Sequence, residues 1–528
     1  MQAKYISYKQ TNSFSPVVLD YIERKEELRP FYSYSTDFEG FKKAIENRSF
    51  FADRELLVKT LQKQYESIST TTGVQDNIAL LSDARTFTIT TGHQLNIFTG
   101  PLYFIYKIVT AINLARDLKK QFPEYNFVPV YWMATEDHDF EEINHVKLED
   151  KMLTWKTQAS GATGRLSPAD MREVLQAYKG YLGISKNGVK LSKLIESAYI
   201  NQENLADATR ELVDGLFGEH GLVCLDADDP QLKAQFAPII FRDITEQNSY
   251  AHIQKSNAEL ESIGYKPQVN PREINFFYMT DGLRERITEE NGIFNVLNTS
   301  IRFSKEELQK EIAQFPERFS PNVVMRPLYQ EIILPNLAYI GGGAEVTYWL
   351  QLKANFDHYH IPYPVLVLRN SALVIDQRSE QKMQMLGISK ESLFSPNETL
   401  KTEWIKAHVN EDLSLENEER SIADIFDQIK LHAYKIDKTL SQSVDAAKTR
   451  TLKLLTNLDK KMLRAEKRKH ITSLEQIDTL KNKLFPSGVL QERVLNLAPM
   501  YVLYGDDFID SLIESFDPLA HQFTILFA

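Results

Sequence analysis

Two short polar clusters carry the residue types that could do chemistry: Thr91-Gly92-His93-Gln94 and Glu136-Asp137-His138-Asp139. An imidazole among carboxylates can move a proton near neutral pH or ligate a metal. Both uses are open for Asp137, His138 and Asp139: a metal site, or orientation and activation of an amine or hydroxyl nucleophile. His145 adds another imidazole nearby. Helix caps and salt bridges are the plainer use of such a cluster. Against that, buried charges need partners, so three acids at the end of an apolar strand are poorly explained by packing. Gly92 allows a tight turn and close approach of a ligand to backbone. His93 could donate to a phosphate or act as acid or base.

A third element is Gly341-Gly342-Gly343-Ala344-Glu345. Three glycines before a helix suit a phosphate or carboxylate pressed onto backbone, and equally a plain tight turn. No Gly-Lys-Ser/Thr follows, and the pattern is not GxGxxG. Glu345 and Trp349 lie one turn apart and could share a face. Arg326, Arg369, Asn370 and Ser371 lie close to expected strand ends and could hold carboxylates or a ribose.

These groups need elements to position them. Residues 86–94 read as a strand rich in Thr, Phe and Ile. Thr99-Gly100-Pro101 reads as a helix start, a hydroxyl cap followed by Pro in the first turn. Leu102, Ile105, Ile108, Val109, Ile112 and Leu118 give that helix an apolar face, with Tyr103, Tyr106 and Lys107 near its N-terminus. Residues 127–134 form a second strand. In a parallel sheet both polar clusters then emerge at the same carboxyl edge, where such sheets bind ligands. A strand ending at the three glycines, a helix from about Ala344 and a strand over Val365–Leu368 repeat the pattern. A strand and turn are expected at 221–230.

The remaining segments differ in texture. Residues 1–85 alternate amphipathic helices with turns, and 150–320 read as insertions in the sheet. Apolar residues from Ile422 to Ala465 recur every three or four positions, close to 3.6. With no Pro or Gly between Ser421 and Leu484, the pattern predicts one long helix with an antiparallel partner or a second subunit. Lys and Arg crowd its stretch from Lys448 to Lys469, as a solvated face or an anion-binding surface.

Composition narrows the classes. The 528 residues could hold two to four domains. A net charge of −11 disfavours wholesale nucleic-acid binding. The single cysteine, Cys224, lies in an apolar run, so intrachain disulfides and Cys-rich zinc cages are excluded. No apolar signal core opens the chain, and no run reaches the roughly 18 apolar residues of a membrane span. The cytoplasm is the expected compartment. No GxSxG, HExxH or CxxC pattern supports a hydrolase triad, a zinc protease or dithiol redox chemistry.

Taken together, the motifs resemble the bacillithiol biosynthesis cysteine-adding enzymes. They are Thr91-Gly92-His93-Gln94, Phe98-Thr99-Gly100-Pro101-Leu102-Tyr103, Ile105-Tyr106-Lys107, Glu136 to Phe140, Phe319 to Val323, Arg326-Pro327, Leu334-Pro335, Ala338 to Gly342, Glu345, Tyr348-Trp349 and Leu490 to Arg493. The resemblance spans nearly the whole chain. It implies an α/β fold: a Rossmann-like parallel core with connecting-peptide insertions and a C-terminal helical coiled coil that pairs two subunits. The expected division is a helical lead-in with the first part of the core over 1–150, and insertions with a partial return to the core over 151–320. The second part of the core follows over 321–379, then the coiled coil over 380–485 and a segment packing back on the core over 486–528.

The implied reaction joins the carboxyl group of L-cysteine to the amine of glucosaminyl malate, giving bacillithiol. A free carboxylate needs activation, as an acyl-adenylate or acyl-phosphate, so ATP or another nucleotide is expected, and no metal is assigned. Asp137, His138 and Asp139 are the catalytic candidates, accepting the proton of the attacking amine. Thr91, Gly92, His93, Gln94, Asn96, Thr99, Gly100, Tyr103 and Lys107 would hold the activating group. Arg326, Gly341, Gly342, Gly343, Glu345, Trp349, Arg369, Asn370 and Ser371 would grip substrate or nucleotide. Many members of the family carry Gln at the position of His93, which makes His93 a ligand contact rather than the base. The loop also departs from the paired-histidine signature of class I aminoacyl-tRNA synthetases. The expected partners are small substrates and a second copy of the chain, with neither nucleic acid nor membrane. Two other classes are weighed beside this one: a nucleotide-binding scaffold or sensor without turnover, and a tRNA-related adenylating enzyme.

Overall fold

A computed structural model describes residues 1–48, 52–149, 151–409 and 414–528. The chain divides into two compact units. The first comprises Met1–Lys9, Ser13–Leu373 and Gln491–Leu526; the second comprises Gln10–Asn12, Val374–Leu490 and Phe527–Ala528.

The first unit is built on five parallel strands: β1 (Thr86–His93), β2 (Asn126–Met133), β3 (Val223–Asp226), β4 (Asn336–Gly341) and β5 (Val365–Leu368). Their spatial order is β5-β4-β1-β2-β3. The order reverses between β1 and β4, and parallel sheets open a ligand crevice at such a switch point. Register sets what emerges there. Thr91 pairs with Ile340, Gly92 with Trp132, His93 with Met133 and Gly341 with Leu368. The loops after β1, β2, β4 and β5 therefore leave one edge together. Near-continuous apolar and Thr-rich runs suit strands covered on both faces, and β1 to β5 are buried almost throughout.

Helix α1 (Tyr103–Gln121) follows β1 and packs Ala111, Leu114 and Leu118 against Ile89, Phe127, Leu337 and Val367 in the principal core. It has no side-chain cap; Leu102 is its N-cap residue. The expected Thr99 cap is corrected by the backbone. Phe98, Thr99 and Gly100 all adopt positive φ, which turns Thr99 away from the helix start. Helix α2 (Pro230–Glu246) follows β3, α3 (Arg326–Ile333) precedes β4, and α4 (Gly343–Tyr359) begins within the three glycines. A five-stranded antiparallel sheet, which includes Phe276–Thr280, Leu283–Glu290 and Phe319–Pro321, lies within the segment read as an insertion.

In the second unit the long periodic segment is three helices rather than one: α5 (Glu416–Ile436), α6 (Leu440–Lys469) and α7 (Ile471–Leu484). Asp437 breaks the first from the second. Its backbone is extended, and its carboxylate accepts from Thr439 N and Thr439 Oγ1, both at 2.8 Å. Such local side-chain bonds compete with helix and need neither Pro nor Gly. α5 and α6 fold back as an antiparallel hairpin. The pairs Lys430–Asp445, Lys448–Asp427 and Thr456–Glu419 nest symmetrically about the turn. Neither helix buries a residue, and Ile425, Ile429, Tyr434, Leu454 and Leu458 are exposed.

Candidate active site

The loop after β1 runs through a strained turn. Phe98 and Thr99 hold φ of 52° and 71°, a region that side chains enter only when surroundings fix them. The fixing groups come from far away in sequence. Asn496 Nδ2 donates to Phe98 O and Gly100 O, both at 2.7 Å, Leu102 N donates to Leu495 O at 2.8 Å, and Tyr199 OH accepts from Phe98 N. Gly100 has positive φ, and a Cβ there would lie 2.6 Å from Asn96 Cβ. Only glycine fits.

At the switch point the polar groups bind one another. Lys107 Nζ donates to Gly92 O at 2.7 Å and forms an ion pair with Glu345. Glu345 also accepts from Tyr339 OH at 2.7 Å and from Gly342 N at 2.8 Å. Burial alone would raise the Glu345 carboxyl, but Lys107 and these donors outweigh it and hold it below the usual range. Burial pushes the Lys107 amine down, against the pull of Glu345. The Gly342 amide expected to meet a phosphate is thus taken by the chain's own carboxylate.

Arg326 stands over Trp132 and Tyr339, donates from Nη1 to Gln330 at 2.9 Å, and keeps Nη2 buried without a hydrogen-bond partner. His93 stacks on Phe104, and its Nε2 is likewise buried and unpartnered. Burial, helped by the charges of Lys107 and Arg369, holds its imidazole well below the ordinary value, so it is neutral. Asn96 Oδ1 is a third buried, unpartnered polar atom at this edge. An unpaired buried polar atom is costly. These three atoms are hydrogen-bonding capacity that the chain itself leaves unused.

Five expected contacts are corrected. Thr91 Oγ1 donates across the sheet to Ile340 O at 3.0 Å. Trp349 is fully buried and stacked on Tyr339. Asn370 Nδ2 donates to Asp517 O, and its Oδ1 accepts from Thr110. Ser371 Oγ donates to Glu492. Arg369 Nη2 is ion-paired with buried Glu492 at 2.6 Å, while Nη1 donates to Asn370 O and Ser371 Oγ. These side chains brace the crevice from inside the fold, although Arg369 Nε and Trp349 Nε1 stay buried without a hydrogen-bond partner.

The loop after β2 is arranged differently. Glu136 is buried and ion-paired with Lys233 of α2; burial raises its carboxyl, and Lys233 opposes that. Asp137 accepts from Gln94 Nε2 at 2.7 Å, and from His138 N at 2.8 Å. Burial would raise the Asp137 carboxyl, but the bond from Gln94, the charge of Arg284 and the Asp139 amide hold it far below the usual range. His138 Nδ1 lies 2.7 Å from Arg284 Nη1. Asp139 is exposed, and its carboxylate caps nothing. Gln94 also donates to Glu142 at 2.7 Å, tying the β1 and β2 loops together. Beside them a cleft of about 400 Å³ is lined by Gln94, Asn96, Tyr103, Glu142, Lys147 and Arg493. Among the described residues, no three His, Cys, Asp or Glu side chains converge as a metal site.

Comparison with known proteins decides the family. Residues 1–370 match the N-terminal Rossmann-like domain of the bacillithiol biosynthesis protein BshC, and residues 372–528 match its C-terminal coiled-coil domain. The chain belongs to the BshC family. A protein of Flavobacterium psychrophilum described as "Putative cysteine ligase BshC" is 46% identical, covering 100% of this chain and 99% of its own length. Relatives under the same description in Flavobacterium johnsoniae and Christiangramia forsetii are 43% and 41% identical, covering 100% of this chain and 100% and 99% of theirs. Among the described residues no helix is long and apolar enough to cross a membrane.

Within this BshC chain, sequence reasoning missed Arg284, Glu492 and Asn496. Asp281-Gly282 after the aromatic run at 276–278 is a hairpin signal that would have placed Arg284 on a strand. Nothing local pointed that strand at His138. Glu492 sits in a quoted motif, but its partner lies 123 positions away.

Proposed function

We propose that this chain is a cysteine ligase that forms the amide between the carboxyl group of L-cysteine and the amine of glucosaminyl malate. Membership in the BshC family over the whole length carries this reading, and the relatives' description supplies the cysteine. The exposed Asp139 carboxylate, three residues before Glu142 in the lining of the 400 Å³ cleft, supports it from the side of chemistry. An amine attacking an activated acyl carbon must lose a proton, and a carboxylate within reach can take it. Arg326 Nη2, His93 Nε2 and Asn96 Oδ1 would hold the nucleotide that activates the carboxylate. Lys147 and Arg493 would meet the carboxylates of the malate half. The exposed apolar residues of α5 and α6 would pair with a second copy.

Purified protein given glucosaminyl malate, cysteine and ATP should yield a thiol product with the mass of bacillithiol. No product with any nucleoside triphosphate, at enzyme concentrations where binding of glucosaminyl malate is saturated, overturns the reading.

A further inference from the structure

Arg284 lies outside every motif described above, on the antiparallel sheet rather than the parallel one. Its strand pairs Met279 with Arg284, and the neighbouring strand brings Ser320 alongside. The guanidinium is held on four sides. Nε donates to Ser320 Oγ at 3.1 Å, Nη2 donates to Pro321 O at 3.4 Å, the Phe277 ring lies 4.0 Å below, and Nη1 points at His138 Nδ1 at 2.7 Å. The Phe277 ring is also 5.6 Å from the His138 ring. The nearest carboxylate oxygen to Nδ1, from Asp137, is farther off at 3.8 Å.

A guanidinium has only donors and keeps its charge in proteins. The His138 nitrogen facing it must therefore be the unprotonated one, and the ring proton must sit on Nε2. We infer that Arg284 is a positioning residue that locks His138 as the Nε2–H tautomer, so that His138 offers the ligand a hydrogen-bond donor and leaves proton acceptance to Asp139. The loop then divides its labour by partner. Asp137 is spent on Gln94 and backbone amides, His138 donates from Nε2, and Asp139 accepts. The assignment to a donor on the activated cysteinyl group rests on the ligase reading; the tautomer does not.

Imidazole nitrogen shifts read the tautomer directly. The full chain is labelled with [15N]histidine, and the His138 signals are assigned by their loss in His138→Gln. The parent should show Nδ1 at the shift of an unprotonated ring nitrogen and Nε2 at that of a protonated one. Arg284→Met should move both towards averaged values. Ser320→Ala, which removes only the Nε partner, should move them part of the way and serves if Arg284→Met fails to fold. A parent with the proton on Nδ1 or averaged between the nitrogens overturns the inference, and so do variants with unchanged shifts. In the ligation assay Arg284→Met should lower kcat roughly 10- to 100-fold with KM changed less than about threefold, the scale on which partners of a reacting imidazole act. A parent without ligase activity sinks the ligase reading alone, because the shifts still decide the tautomer.

Discussion

The loops after β4 and β2 leave the same edge of the same sheet, yet they treat their charges in opposite ways. After β4, Glu345 is met by Lys107, Tyr339 OH and Gly342 N, and after the adjacent β5 Arg369 is met by Glu492. After β2, Asp139 stands exposed without a cap to serve, and His138 is held from one side only. From residue types the cluster after β2 offered proton chemistry, and the glycine turn after β4 offered a grip on phosphate or carboxylate. The difference shows that a polar cluster at a sheet edge is read by what its groups have left over. The β4 side spends Glu345 on shape, whereas the β2 side spends Glu136 and Asp137 the same way and keeps His138 and Asp139 for a ligand.

The sharpest way to break this contrast is at Asp139. Asp139→Asn should reduce turnover by about 10²- to 10⁴-fold, the range of a lost general base. Its unfolding free energy should stay within about 0.5 kcal/mol of the parent, as for an exposed position. Steady-state ligation and urea unfolding of the same preparation measure the two. A large stability loss with normal turnover would reverse the roles of the loops.

On the β4 side the pattern should invert. Lys107→Met leaves the Glu345 carboxylate and Gly92 O without their cation and should cost about 3–5 kcal/mol in urea unfolding, as for a broken buried ion pair. A cost near zero would mean that Glu345 was free for a ligand.

The smallest effect sharpens the boundary between the loops. His93 is held neutral, with its folded pKa well below the value of about 6.5 expected unfolded. The unfolded chain therefore takes up the proton first as pH falls. The contribution is fully present above pH about 6.5 and is lost progressively below it. His93→Gln should flatten the fall in the urea midpoint between pH 7 and pH 5. An unchanged slope would place a proton on His93 in the folded state.

Much of this architecture was legible in the sequence, and the exceptions share a cause. β1, α1, β2, the glycine turn and β5 announced themselves by period and punctuation, and the edge they share follows from parallel pairing. Gly92, Gln94, Asp137 and Asp139 could be named because they sit within a few residues of strand ends. Arg369 could be named but not interpreted, since its partner Glu492 arrives from a remote segment. Arg284 was invisible for the same reason. The helix break at Asp437 was missed because a carboxylate bonding its own neighbours leaves no Pro or Gly behind.

Asn496 gives the β1–α1 turn a dependence on time as well as on space. Its bonds to Phe98 O and Gly100 O span 398 and 396 positions. Contacts of such separation form late, because a long loop must close before they reward it. A ribosome that has delivered β1 and α1 has delivered the whole of the loop at residues 94–102, yet the clamp on that loop is still unmade. Ligand binding at that loop should therefore mark completed synthesis, and a chain cut short before residue 490 should remain inert, with Arg369 also left without Glu492.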